Sequence, residues 1–279
     1  SSDSWVILSP IEQSIKRKIE AVGTPLKDWD IQINYGIKTG YNEAFIITTE
    51  KREEILSNCQ SEDERQRTAE LIRPILRGRD IKRYGYVDSG LYLINTHNGI
   101  RGRIPRINID DYPAVKAHLN RYWNKIEKRT DKGDTPYNLR NCAYLEDFYK
   151  PKVIYPNMTK YMPFVYDDKE YITNQKCFII TGKYVAFLTA FLNSSLFKYC
   201  FRDSFPELQG GTREMSKIFF DKIPVVNIDD EIEKEFTSLI CDIQNEYTQD
   251  KAIHIDKRIF DLYKLSNHER EIIGFVEIS

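Results

Sequence analysis

Ser9-Pro10 opens a stretch in which Ile11, Ile15, Ile19 and Val22 recur at helical spacing with charges between them, and Gly23 closes it. From Trp29 the period changes. Trp29, Ile31, Ile33 and Tyr35 alternate with polar residues, and Ala44-Phe45-Ile46-Ile47 resumes strand chemistry after Gly36-Ile37-Lys38-Thr39-Gly40. This pattern predicts a hairpin-like element with a polar glycine loop. Further strands are expected over 91–95, 152–155, 164–166 and 177–181, and helices near 61–73, 111–129, 184–201, 230–247, 251–264 and 267–277. Strands and helices are mixed without a regular βαβ beat, which points to an α+β fold with mixed sheets.

At 279 residues the chain is longer than a typical domain, and one large domain with an appendage fits it best. Its 18 Tyr and 14 Phe exceed what core filling demands, which puts some rings on a binding surface. The apolar run from Tyr184 to Phe201 is broken by Thr189, Asn193, Ser194, Ser195 and Lys198, so it reads as a buried helix and no membrane partner is expected. Cys59, Cys142, Cys177, Cys200 and Cys241 are scattered without a C-x-x-C pair and read as free thiols of a cytoplasmic protein. The chain runs from Ser1-Ser2-Asp3-Ser4 into Trp5-Val6-Ile7-Leu8 without a methionine, the expectation for an excised fragment.

The net charge of −1 excludes a protein that coats nucleic acid through bulk charge and leaves local patches. Residues 65–106 hold ten basic and three acidic side chains, a net of +7, and are the polyanion-facing candidate. Residues 229–279 hold 13 acidic and six basic, a net of −7, and read as a helical tail whose charge would repel DNA.

The sequence carries little recognisable catalytic chemistry. An amino-methyltransferase needs a glycine-rich loop for the methyl donor and an Asp/Asn-Pro-Pro-aromatic segment for the flipped base, and neither occurs. The segment 36–40 lacks the G-x-x-x-x-G-K-[S/T] order of a phosphate loop. Asp80-Ile81-Lys82 has the D-x-K form of a metal-dependent nuclease but no evident upstream acidic partner, so a helix-end salt bridge with a phosphate contact competes with it. His97, His118, His254 and His268 lie in unrelated contexts and read as surface or core histidines. Asp167-Asp168 and Asp229-Asp230 read as turn and helix-cap acids. No catalytic residue and no metal site is assigned.

Several segments in order carry a resemblance: Trp29-Asp30-Ile31 leading to Gly36-Ile37-Lys38-Thr39-Gly40-Tyr41-Asn42-Glu43-Ala44-Phe45, then Ile72-Arg73-Pro74-Ile75-Leu76-Arg77-Gly78-Arg79-Asp80-Ile81-Lys82-Arg83-Tyr84. Leu139–Tyr144, Lys150–Pro156, Leu192-Asn193-Ser194, Gln209-Gly210-Gly211, Ile223-Pro224, Ile255-Asp256 and Leu262-Tyr263 follow. Together they resemble the TaqI-like specificity domain of adenine-specific methyltransferases and fused type IIG restriction enzymes, over nearly the whole chain. The resemblance implies a target recognition domain over 1–228 with an acidic helical subdomain over 229–279. It also implies double-stranded DNA as partner, and an upstream methyltransferase domain of the same polypeptide that holds S-adenosylmethionine. The fragment itself would carry no cofactor and be catalytically silent.

Candidate DNA contacts follow from residue type. Lys38, Thr39, Tyr41 and Asn42 offer phosphate and base-edge donors on the glycine segment, with a solvated polar turn as the plain alternative. Arg77, Arg79, Lys82 and Arg83 gather around Gly78, whose missing side chain allows close backbone approach; Arg83 has the alternative of pairing with an acid. Arg101, Arg103 and Arg106 form a second basic loop. Asn157 and Lys160 follow a strand with Tyr155, which is equally plausible as core. Gln209, Thr212 and Arg213 lie in a loop whose alternative is a capping turn before Met215. The competing functions are a nuclease using Asp80 and Lys82, and a protein-interaction module using the aromatic surface and the acidic tail.

Overall fold

A computed structural model describes residues 8–276. The first helix, Pro10–Val22, starts at a capping box in which Ser9 and Glu12 satisfy each other's backbone N–H, and it buries Ile15 and Ile19. It ends where Gly23–Pro25 pairs antiparallel with Pro224–Val226. A Cβ on Gly23 would lie 2.7 Å from Pro224, so only glycine permits this approach.

Two four-stranded sheets form the body. In the first, Val165–Asp167, Lys152–Pro156, Cys177–Gly182 and Ile31–Tyr35 lie side by side, all antiparallel. In the second the order is Ile172–Thr173, Ile72–Leu76, Leu91–Ile94 and Ile46–Thr48, with the first pair parallel. The two central strands of the first sheet, Lys152–Pro156 and Cys177–Gly182, are buried on both faces. Val153, Tyr155, Phe178 and Ile180 point into a core shared with the helices Val185–Asn193, Asp230–Asn245 and Gln249–Leu262. Ile154, Val165, Cys177 and Ile179 point the other way, into a core built on the second sheet. Double burial removes the polar half of the strand pattern, which is why 152–156 and 177–181 read as continuous apolar runs.

The helices after residue 229 pack into the first core: Phe187 meets Phe236 edge-on at 4.9 Å. The last helix, Asn267–Ile273, closes on the first through Glu269, which accepts from Lys18 Nζ at 2.5 Å and Ser14 Oγ at 2.7 Å. Burial alone would raise the Glu269 carboxyl, but these donors and the Ser266 backbone bring it down to about 2.

The expected hairpin does not form. Ile31–Tyr35 pairs with Cys177–Gly182, while Ala44 and Phe45 close a helical turn, Asn42–Phe45, and Ile46–Thr48 joins the other sheet. Residues 36–40 are the crossover between the sheets: Ile37 donates to the Thr173 carbonyl, and a Cβ on Gly36 would sit 1.9 Å from the Asn174 oxygen. The helix expected over 61–73 ends at Leu71, because Pro74 disfavours helical backbone at Arg73 and the chain enters the strand Ile72–Leu76, which the pattern did not show. The segment 111–129 divides into Pro113–Asn120 and Trp123–Ile126, with the Tyr122 ring turned onto His118 and Tyr41 between them. The run 184–201 divides at Ser194, an extended residue that caps the second half, Ser195–Phe201. The helix expected to 277 stops at Ile273 before Gly274; residue 277 and Trp5–Ile7 lie outside the described residues. Among the described residues no helix is long and apolar enough to cross a membrane.

Candidate nucleic-acid interface

Where the 77–83 segment packs beside the strand Lys152–Pro156, the chain leaves a groove of about 780 Å³. Arg79, Lys82, Arg83 and Lys176 line it with Asn157, and among the described residues no Asp or Glu does. Pro156, Met158, Tyr161 and Pro163 line it too, and Tyr247 and Val276 bring neutral residues from the otherwise acidic tail. Arg79, Lys82 and Lys176 are exposed and make no ion pair among the described residues. Cations unpaired among the described residues, converging without a described carboxylate beside them, leave a local positive field for a polyanion.

Not every arginine of the segment contributes to that field. Asp80 is buried, and both its oxygens are taken by Arg77, through Nε at 3.1 Å, Nη2 at 3.0 Å and the backbone N–H at 2.8 Å. The hydrogen bonds that Arg77 donates to Asp80 hold its guanidinium above its usual range. This pair is the helix-end salt bridge that competed with the nuclease reading, and it removes Arg77 from the expected set of DNA contacts. Gly78 does permit a close approach, but to protein: a Cβ there would lie 3.0 Å from the Lys176 carbonyl. Arg83 lines the groove as a strut, donating through Nε and Nη2 to the Asn193 carbonyl at 3.2 and 3.0 Å. Its expected acid partner is therefore a carbonyl.

The loop Gln209–Gly211 with Arg213–Glu214 reaches this side of the molecule, because Arg213–Glu214 pairs with Met158–Thr159. Gln209 is exposed and Thr212 half-buried. Arg213 is spent on the loop itself: it donates to the Phe205 carbonyl and pairs with Asp203 and Glu207, so the expected guanine contact gives way to a structural role. Asn157 is held through its backbone, donating to Lys176 and accepting from Met215, which leaves its amide unengaged at the groove. Lys160 is exposed beside it, and Tyr155 is core.

The remaining expected contacts lie in a second cluster. Lys38 and Arg140 both pair with Asp131, at 2.9 and 3.2 Å, Arg106 pairs with Asp134, and Arg103 with Glu146. Arg101 is exposed at the tip of the Ile100–Ile104 turn with no such partner among the described residues. Thr39 is buried, donating to Asn42 and accepting from the Tyr41 N–H, and Tyr41 donates to Glu43; Thr39 therefore caps a turn and cannot present its hydroxyl. Beneath them Arg129 donates to the carbonyls of Thr39, Asp131, Pro136 and Asn138. Burial pushes its guanidinium down to about 10. Of the 15 candidates, Arg79, Lys82, Arg83 and Asn157 line the groove, and the others lie beside it or on the second set of loops.

Residues 73–225 match the TaqI-like C-terminal specificity domain. The chain belongs to that family. Its fold agrees: the specificity domain is similar to the type IIG restriction endonuclease BpuSI, with 13% identity, a TM-score of 0.52 and coverage of 92% of this chain and 34% of that one. It is also similar to the type IIL restriction-modification enzyme MmeI, whose structure is in complex with DNA, with 13% identity, a TM-score of 0.59 and coverage of 90% and 35%. The chain spans about a third of the length of either structure.

Sequence reasoning missed Lys176, Met158 and Tyr161. Lys176 had a local signal, since Asn174-Gln175-Lys176 is a polar turn before an apolar strand. Tyr161 and Met158 had none, because exposure is not written in residue type.

Proposed function

We propose that the specificity domain reads DNA sequence for an adenine-N6 methyltransferase or a fused restriction-modification enzyme, and that the fragment carries out no chemistry itself. The observation that carries this reading is the groove with exposed Arg79, Lys82 and Lys176 and, among the described residues, no carboxylate, in a chain of the TaqI-like specificity family. Phosphates meet Arg79, Lys82 and Lys160; base edges meet the free amides of Asn157 and Gln209. Lys38, Tyr41, Asn42, Arg101, Arg103 and Thr212 make at most peripheral contacts. The methyl donor, S-adenosylmethionine, belongs to an upstream domain, since this chain has no glycine-rich donor loop. Residues 1–228 form the recognition part and the acidic 229–279 its support and a surface toward that upstream domain, a division drawn from the shift in charge.

The test is binding of the chain to duplex DNA across a salt series. Phosphate contacts make log affinity fall linearly with log salt by about 0.9 per phosphate neutralised, so a steep slope is expected. A slope near zero, or metal-dependent nicking abolished by Asp80→Ala, would overturn the reading.

A further inference from the structure

Tyr161 is 70% exposed, more than any other large apolar side chain among the described residues, and it stands at the lip of the groove. Its loop is built to hold it there. Thr159 Oγ1 accepts the N–H groups of Tyr161 and Met162, each at 3.1 Å. Met162 follows in the left-handed region at φ 50° with its side chain buried, a conformation that costs a non-glycine residue free energy and persists only where surroundings impose it. Beneath it the Lys198 ammonium donates to the Met162 carbonyl and lies 5.1 Å from the Phe164 ring centre, while burial pushes its titration well below the usual lysine range. The Asn193 amide then grips Phe164, accepting from its N–H at 3.0 Å and donating to its carbonyl at 2.8 Å. A ring exposed on a loop fixed from below is presented to something outside the chain.

What it meets follows from the rest of the groove. The cations beside it select phosphates, yet a phosphate group has no apolar surface to set against Tyr161, Met158 and Pro163. The flat apolar surface of DNA that matches an aromatic ring is its base faces, and an intact duplex hides them in the stack. We propose that Tyr161 stacks on a nucleobase that bound DNA presents unstacked, while Arg79 and Lys82 hold the flanking phosphates. The proposal rests on the DNA-recognition reading and assigns a base-stacking site that the recognition reading does not require.

The chain and its Tyr161→Ala, Tyr161→Phe and Lys82→Ala variants are titrated with three fluorescent probes: a 20-nucleotide single strand, a 30-bp duplex, and that duplex with one extrahelical 2-aminopurine. Tyr161→Ala is expected to weaken binding to the first and third by about tenfold and to the intact duplex by less, with the salt slope unchanged. Tyr161→Phe, which keeps the ring, retains binding. The 2-aminopurine signal changes on binding to the parent and the Phe variant and not to the Ala variant. Equal affinity of Tyr161→Ala and parent for all three probes, or a uniform loss with a lower salt slope, overturns the stacking site while a Lys82→Ala effect leaves DNA recognition standing. A parent that binds none of the probes overturns both.

Discussion

Two basic regions look alike in the sequence and differ in what their charges already touch. Around Arg79 and Lys82 the only nearby acid of the segment, Asp80, turns inward to Arg77, and among the described residues the outward cations are left without carboxylates. On the second set of loops Lys38, Arg103, Arg106 and Arg140 each have an acid within 3.2 Å. A cation paired at the surface has little field left for a distant phosphate, and pairing it anew requires breaking the old contact. Local density of Lys and Arg therefore does not identify an interface; the disposition of the intervening acids does.

The comparison is broken or sharpened by substitution. The largest effect is expected beneath the paired loops. Arg129→Met leaves four carbonyls without their donor and should lower stability by about 3–5 kcal/mol in urea denaturation. Unchanged stability would mean those loops are not held as described. In the groove, Asn157→Ala should relax discrimination at one base pair by about 1–3 kcal/mol, read as affinity across a panel of single-base site variants, with the salt slope intact. Arg79→Ala and Lys82→Ala should each lower the salt slope by about one and weaken all sequences alike. The smallest effects belong to Lys38→Ala and Arg103→Ala: stability should shift by less than about 0.5 kcal/mol and the salt slope should stay. A slope change as large as that of Lys82→Ala would erase the distinction between the two regions.

Much of the fold was legible. The first helix was bounded by Ser9, Pro10 and Gly23 alone, and the strands at 91, 152, 165 and 177 stood where apolar runs put them. The basic segment around Gly78 was legible as a region, and which of its cations stay unpaired was not. Of four cations around Gly78, Arg77 closes on Asp80 and Arg83 on Asn193, because each finds an acceptor within reach once the chain is folded. Tyr161 and Met158 entered the groove without any pattern to mark them.

By itself the sequence determined the α+β composition, the family motifs, the charge segregation between 65–106 and 229–279, and the helix termini, all of which depend on neighbours a few residues apart. Tertiary structure decided the rest. It sent the chain at 36–40 across from one sheet to the other, since strand pairing is settled by partners far along the chain such as Phe178 opposite Tyr35. It also decided which charges stay free, since an ion pair depends on distances of 3–4 Å between residues such as Arg103 and Glu146 that the linear order does not encode.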